Sequence, residues 1–234
     1  MLSETQIEQR KHALTTPRAA AIAGILFSIL FAASIVLIRL SVPADITAVS
    51  DWTDATRRQV GLALRLMPFA GIAFLWFVGV VRDRLGEFED QFFSTVTLGS
   101  GLLFLAMSFI AMANGAGMLA MYQATGGQAM SAELYALNRS VMSQIFNTYG
   151  LKMAGVFMFS ISTLWLRTGV MPRLLCYLTY ALVVFMLVTT SQNLWMVLIF
   201  PTWVLVISTY ILILNFSRKP SGSADGLTAR PLAG

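Results

Sequence analysis

The chain has 234 residues, 57% of them hydrophobic and only 12% charged, with a mean hydropathy of +0.73. A soluble domain carries roughly a quarter charged residues, so this composition excludes an ordinary soluble enzyme, a disordered chain and a disulfide-stapled secreted module, and points to a polytopic membrane protein. The net charge of +5 is read as cytoplasmic loops facing anionic lipid, not as a nucleic-acid surface.

Six apolar stretches reach the length of about 20 residues that a spanning helix needs. They run over residues 19–40, 62–81, 93–122, 145–166, 172–190 and 194–216, the fourth extending outward to Asn138. Pro68 lies inside the second and Pro201 inside the sixth. No run alternates with period two, so the expected class is all-α, a bundle of six transmembrane helices. The first run is longer than the 7–15 residues of a signal-peptide core, and it reads as an uncleaved anchor. Between the first two spans, Ser50 or Asp51 is the expected cap of a helix that runs into span 2, with Asp54 and Arg58 as an i,i+4 pair. The charged segment 82–90, with Gly86 at its centre, reads as a solvated turn.

Basic residues set the orientation. Arg10, Lys11 and Arg18, then Arg82 and Arg84, then Arg167 and Arg173, then Arg218, Lys219 and Arg230 all fall on one side of a six-span chain. Both termini are therefore expected in the cytoplasm. The chain divides into a cytoplasmic segment 1–18, a membrane domain 19–216 and a disordered cytoplasmic tail 217–234. Trp52, Tyr122, Tyr135 and Trp195 are expected near the outer interface, with Trp165 and Phe216 near the inner one. Arginine outnumbers lysine 13 to 3, a composition suited to a GC-rich bacterial genome and hence to a bacterial inner membrane.

Chemistry is constrained by what the spans lack. None of the 11 carboxylates falls within them, which removes the groups that proton-coupled carriers and intramembrane aspartyl proteases use. Cys176 is the one cysteine, so no intrachain disulfide forms. His12, the one histidine, lies outside every apolar run, which excludes bis-His haem ligation and zinc or di-iron sites built on histidine clusters. No metal and no cofactor is expected. A Ser-Lys dyad at Lys152 finds no serine at i±3 or i±4. The expectation is a non-enzymatic protein.

The cations at membrane depth carry the sharper signal. For Arg39, snorkelling to the surface is the expected behaviour. Arg65 in span 2 and Lys152 in span 4 are the candidates for a site, because a cation within a span is costly and normally functional or snorkelling. Gln144, Thr148, Lys152, Gly155, Phe159 and Thr163 recur at helical spacing and form one polar stripe. On span 2, Arg58, Leu62, Arg65 and Ile72 share a face. If those two faces meet, they form an outward-opening cationic cavity, with Arg65, Lys152, Gln144, Thr148 and Tyr149 as ligand-binding residues. An anion such as a lipid phosphate would complete it. The competing reading lets Glu133 fold in and pair with Lys152 or Arg65.

Span 3 is rich in small residues. Thr97 with Gly101, Ala111 with Gly115 and Ala113 with Gly117 are small-xxx-small pairs suited to close packing. The stretch Asn114-Gly115-Ala116-Gly117 offers an alternative, an unwound segment lining a cavity. The segment from Val81 to Asp90, the run from Leu98 to Phe104 and the run from Trp165 to Pro172 resemble those of an uncharacterised group of bacterial six-helix integral membrane proteins. The resemblance implies the six-helix fold and brings no activity or site with it. The function expected is binding of an anionic lipid or similar ligand, alone, as a homo-oligomer or as a subunit of a larger membrane assembly. The alternative is a small transporter or channel for an anionic or neutral solute, with Pro68, Pro201 and the span 3 glycines breaking its helices.

Overall fold

The computed structural model describes residues 4–41, 53–85, 91–126, 131–169, 171–189 and 194–217. Among them every regular element is helical. In chain order these are α1 (Glu4–Ser41), α2 (Asp54–Leu85), α3 (Gln91–Ala124) and α4 (Ala132–Gln144). A π-helical turn (Ile145–Gly150) joins α4 to α5 (Leu151–Thr168); α6 (Arg173–Val188), a 3-10 turn (Leu194–Leu198) and α7 (Ile199–Ser217) follow. Among the described residues, five segments are long and apolar enough to cross a membrane: Arg18–Ser41, Asp54–Arg82, Phe92–Ala124, Ala132–Thr168 and Trp195–Leu214. The apolar α6 is shorter, at 16 residues. The tail beyond Ser217 and the turn at Gly86 lie outside the described residues.

Apart from α4 and α5, which form one rod, successive long helices pack antiparallel. Ser34 Oγ donates to the Ala63 carbonyl at 2.6 Å between α1 and α2. Nearer the end remote from the N terminus, Ser41 Oγ donates to Gln59 Oε1 at 2.9 Å. The guanidinium of Arg57 lies 5.8 Å from the Tyr122 ring, tying α2 to α3. Asn114 Nδ2 donates to the Asn138 carbonyl at 2.8 Å, tying α3 to α4. At the other end, Arg167 stacks 4.9 Å from the Phe93 ring, within cation–π range. Beside α5 and α7, α6 is held by Thr163 Oγ1 and the Tyr180 hydroxyl at 2.9 Å and by Trp203 Nε1 donating to Thr179 Oγ1 at 3.0 Å.

The centre is a layer of phenylalanines. Phe27 and Phe31 come from α1, Phe74 and Phe77 from α2, Phe104 from α3, Phe157 from α5 and Phe200 from α7, and all are fully buried or nearly so. The Phe74 ring lies 4.7 Å from Phe27, 5.7 Å from Phe104, 5.5 Å from Phe157 and 5.8 Å from Phe200, centroid to centroid. Tilted and edge-on pairs at 4.5–7 Å match the ring quadrupole and are each worth about 0.5–1.5 kcal/mol beyond burial. All five long spans thus meet at one level.

The structure corrects several details. The first turn of α2 is capped by Thr53, whose Oγ1 accepts the Thr56 N–H at 3.2 Å; the expected caps Ser50 and Asp51 lie outside the described residues. The Asp54 carboxylate pairs with Arg57, while Arg58 Nε donates to the Asp54 carbonyl at 3.3 Å. That places the pair at i,i+3; with a 75% exposed Asp54 side chain it contributes little. Trp165 is buried, its ring 6.1 Å from Trp203, so it packs between α5 and α7 and does not sit at a lipid interface.

Within α3 the small residues divide into two groups. Gly101 faces inward, where an added Cβ would lie 3.1 Å from the Phe157 ring, and Thr97 and Ala111 are buried beside it on the same face. Gly115 is also buried, but its Cβ would have 3.8 Å to Met142 Sδ. Gly99 and Gly117 are exposed with open space around them. The Ala113–Gly117 pair is therefore exposed and packs against no other helix among the described residues. The helix runs unbroken through Asn114, Gly115, Ala116 and Gly117, so no unwound segment forms there.

Candidate functional site

The polar stripe on α4 and α5 follows one face but meets two surroundings. Its lower half packs on α6: a Cβ on Gly155 would touch Leu187 at 3.5 Å, the Phe159 ring lies 5.3 Å from Tyr180, and Thr163 bonds the Tyr180 hydroxyl. In this register Lys152 comes level with Val188, where the helical part of α6 ends. The upper half of the stripe rises past that end. There Gln144 and Tyr149 are exposed, and Thr148 and Lys152 are half-buried. Thr148 Oγ1 donates to Gln144 Oε1 at 2.6 Å.

Arg65 stands elsewhere. The α2 face of Arg58, Leu62 and Arg65 continues through Phe69, Ile72 and Trp76, and every one of these residues is exposed. The opposite face, with Val60, Ala63, Met67, Ala70 and Phe74, is buried. Helices α2 and α5 approach one another through Phe74 and Phe157 in the central layer. The structure therefore brings Gln144, Thr148 and Lys152 together on one rod and leaves Arg65 on the outward face of another helix.

Glu133 is separated from Lys152 for a simple reason. Both belong to the continuous helical segment Ala132–Thr168. Nineteen steps along such a rod at 1.5 Å each hold them about 28 Å apart. Among the described residues, no hydrogen bond or ion pair reaches Lys152. Arg39, in contrast, lies in the last turn of α1, where the helix dipole favours a cation. It is half-buried, and its Nε has no hydrogen-bond partner among the described residues.

The feature that sequence reading missed is the π turn. The Leu151 N–H reaches back to the Phe146 carbonyl, a five-residue step. Such turns are rare and concentrate at functional positions. Within it Asn147 is buried; its Nδ2 donates to Ser143 Oγ at 3.0 Å while Oδ1 has no partner among the described residues. An asparagine inside an apolar run was the available signal.

A further concavity lies between α6 and α7, an apolar groove of about 440 Å³ lined by Leu182, Trp195, Leu198, Ile199, Thr202, Trp203 and Val206. It carries no charge and is separate from the polar stripe. No protein-family model, curated protein or solved structure matches the chain.

Proposed function

We propose that this chain is a non-enzymatic, multi-pass protein of a bacterial inner membrane that binds an anionic lipid, with Lys152 as the anchoring cation. The observation that carries this reading is a half-buried lysine on a candidate membrane span with no counter-charge from the described residues. A cation at depth is expensive without a partner, and a lipid phosphate is the anion that the bilayer itself supplies. With the phenylalanine layer at the bilayer centre, Lys152 lies five residues from Phe157, about 7 Å above the midplane. From there its side chain reaches toward the headgroups.

The same layer argues against the alternative reading. A transporter or channel needs a path through the middle, and here the rings of all five long spans fill it. Solute passage would require that packing to come apart.

The proposed topology has six spans with both termini in the cytoplasm. At 16 residues, α6 covers about 24 Å. This is short of a hydrocarbon core of about 30 Å, a mismatch that local thinning accommodates at modest cost. Its antiparallel packing along α5 supports a sixth crossing. A periplasm-active reporter fused after Phe216 should stay silent, and one fused after Thr189 should be active. The reverse pattern would remove this topology and the outer-side placement of Lys152.

Native mass spectrometry of the protein released from its own membranes tests the lipid reading. The expected result is a discrete one-to-one adduct with an anionic phospholipid that survives mild activation. Adducts in proportion to bulk membrane composition, with no preferred stoichiometry, would reject it. Adducts with a second membrane protein or a second copy would show that the lipid is held within an assembly.

A further inference from the structure

We propose that the π turn builds a phosphate-binding ladder on one line of the α4–α5 rod, in which Gln144 and Lys152 donate together to the phosphodiester of one lipid and Thr148 holds Gln144 in place. The proposal rests on the lipid-binding reading above and adds the residues and geometry that make the site selective for a phosphate.

Three observations converge. In an α-helix with 3.6 residues per turn, positions four apart drift about 40° per step, so residues 144, 148 and 152 would spiral away from one another. A turn closed by a five-residue hydrogen bond holds more residues, and positions four apart then stand more nearly above each other. The Leu151 to Phe146 bond is such a closure, and on the same stretch Thr148 Oγ1 reaches Gln144 Oε1 at 2.6 Å.

That bond also sets the chemistry. Thr148 donates to Oε1, which occupies the acceptor side of the Gln144 amide and leaves the Nε2 group as a donor on an exposed side chain. One residue two turns along, the Lys152 ammonium adds three N–H donors and the charge. The ladder therefore presents donors and a positive charge, which is complementary to the acceptor-only oxygens of a phosphodiester.

Finally, the line is open where it must be. Helix α6 covers the stripe up to Gly155 and its helical part ends at Val188, level with Lys152. With Gln144 exposed and Thr148 and Lys152 half-buried, a headgroup can reach this stretch of the rod, and its acyl chains can lie along the outward residues Val184, Phe185 and Val188 of α6, which are exposed and apolar.

The test uses the full chain in nanodiscs of phosphatidylcholine doped with phosphatidylglycerol, and native mass spectrometry to read the one-to-one phosphatidylglycerol adduct. Lys152→Met should weaken the adduct about tenfold, the effect of one charge-assisted hydrogen bond. Gln144→Leu and Thr148→Val should each weaken it about three- to fivefold, the effect of a neutral one. Lys152→Arg should retain it, and Arg65→Met should leave it unchanged. Melting temperatures of all variants control for folding, and a variant that does not fold is replaced by its conservative partner, Gln144→Asn or Thr148→Ser. If Lys152→Met loses the lipid while the Gln144 and Thr148 variants bind as the parent does, the ladder is overturned and the lipid reading stands. If Arg65→Met is the damaging change, the site is misplaced and the ladder is overturned likewise. An adduct that none of the variants affects and that does not saturate overturns both. Competition by millimolar inorganic phosphate would show that a soluble anion, not a lipid, is the natural occupant, and would also overturn the proposal.

Discussion

Gly24→Ala should destabilise the bundle by about 1–3 kcal/mol, the cost of overpacking a filled interface. A Cβ at this position would stand 2.0 Å from Ser208 Oγ, 2.9 Å from the Phe77 ring and 3.1 Å from Ser208 Cβ. The serine oxygen sits one bond from its own Cβ, so α1 and α7 must separate before the methyl fits. Gly71→Ala meets a nominally similar obstacle, Phe109 Cζ at 2.4 Å. Phe109 is exposed and can swing aside, so that change should cost much less. Adding Ser208→Ala to Gly24→Ala should recover part of the loss, and because the buried Ser208 Oγ has no hydrogen-bond partner among the described residues, its removal forfeits none of the bonds described. Gly99→Ala and Gly117→Ala, in open space, should be neutral or gain up to about 1 kcal/mol from helix propensity. Thermal melts in one detergent across this set check the ranking. Equal melting temperatures for Gly24→Ala and Gly117→Ala would refute the close approach of α1 and α7.

Phe74→Ala is expected to be the most damaging truncation in the core. Its ring meets those of Phe27, Phe77, Phe104, Phe157 and Phe200, and so it joins four of the five long spans to its own. Deleting a buried phenyl from a soluble core costs about 3–5 kcal/mol. In a bilayer the unfolded reference keeps its apolar surroundings, so the transfer part shrinks and the lost dispersion contacts remain. A loss of about 2–3 kcal/mol is therefore expected, measurable as earlier unfolding in a denaturing-detergent titration. Phe69→Ala, on the exposed face of the same helix, should change stability by less than about 0.5 kcal/mol. Phe74→Ala should also leave the membrane impermeable to small anions in a liposome flux assay if the protein is a lipid binder. A steady flux on opening the layer would favour the transport reading.

Sequence alone determined the class and the rods. Length and hydropathy located the spans of α1, α3, α6 and α7 to within a few residues, because spanning a hydrocarbon core constrains both quantities directly, while the second and fourth begin earlier than their apolar runs, at Asp54 and Ala132. Helical spacing placed Gln144, Thr148, Lys152, Gly155, Phe159 and Thr163 on one face, and close packing was legible in Gly101. Only the tertiary structure decided what each face meets. In lipid, the outside of a span is as apolar as its inside, so no amphipathic pattern told that Arg65 stands on the outward face beside Phe69 and Trp76. For Gly101 the structure supplies the reason: Phe157 occupies its side, while Gly99, two residues away on the opposite side of the helix, has open space. The stripe was expected to meet α2, but its lower half packs on α6. The π turn depends on backbone bonding, which composition does not encode. The continuous rod from Ala132 to Thr168 then separates Glu133 from Lys152, because a straight helix converts nineteen residues of sequence into a distance too great for any side chain to bridge.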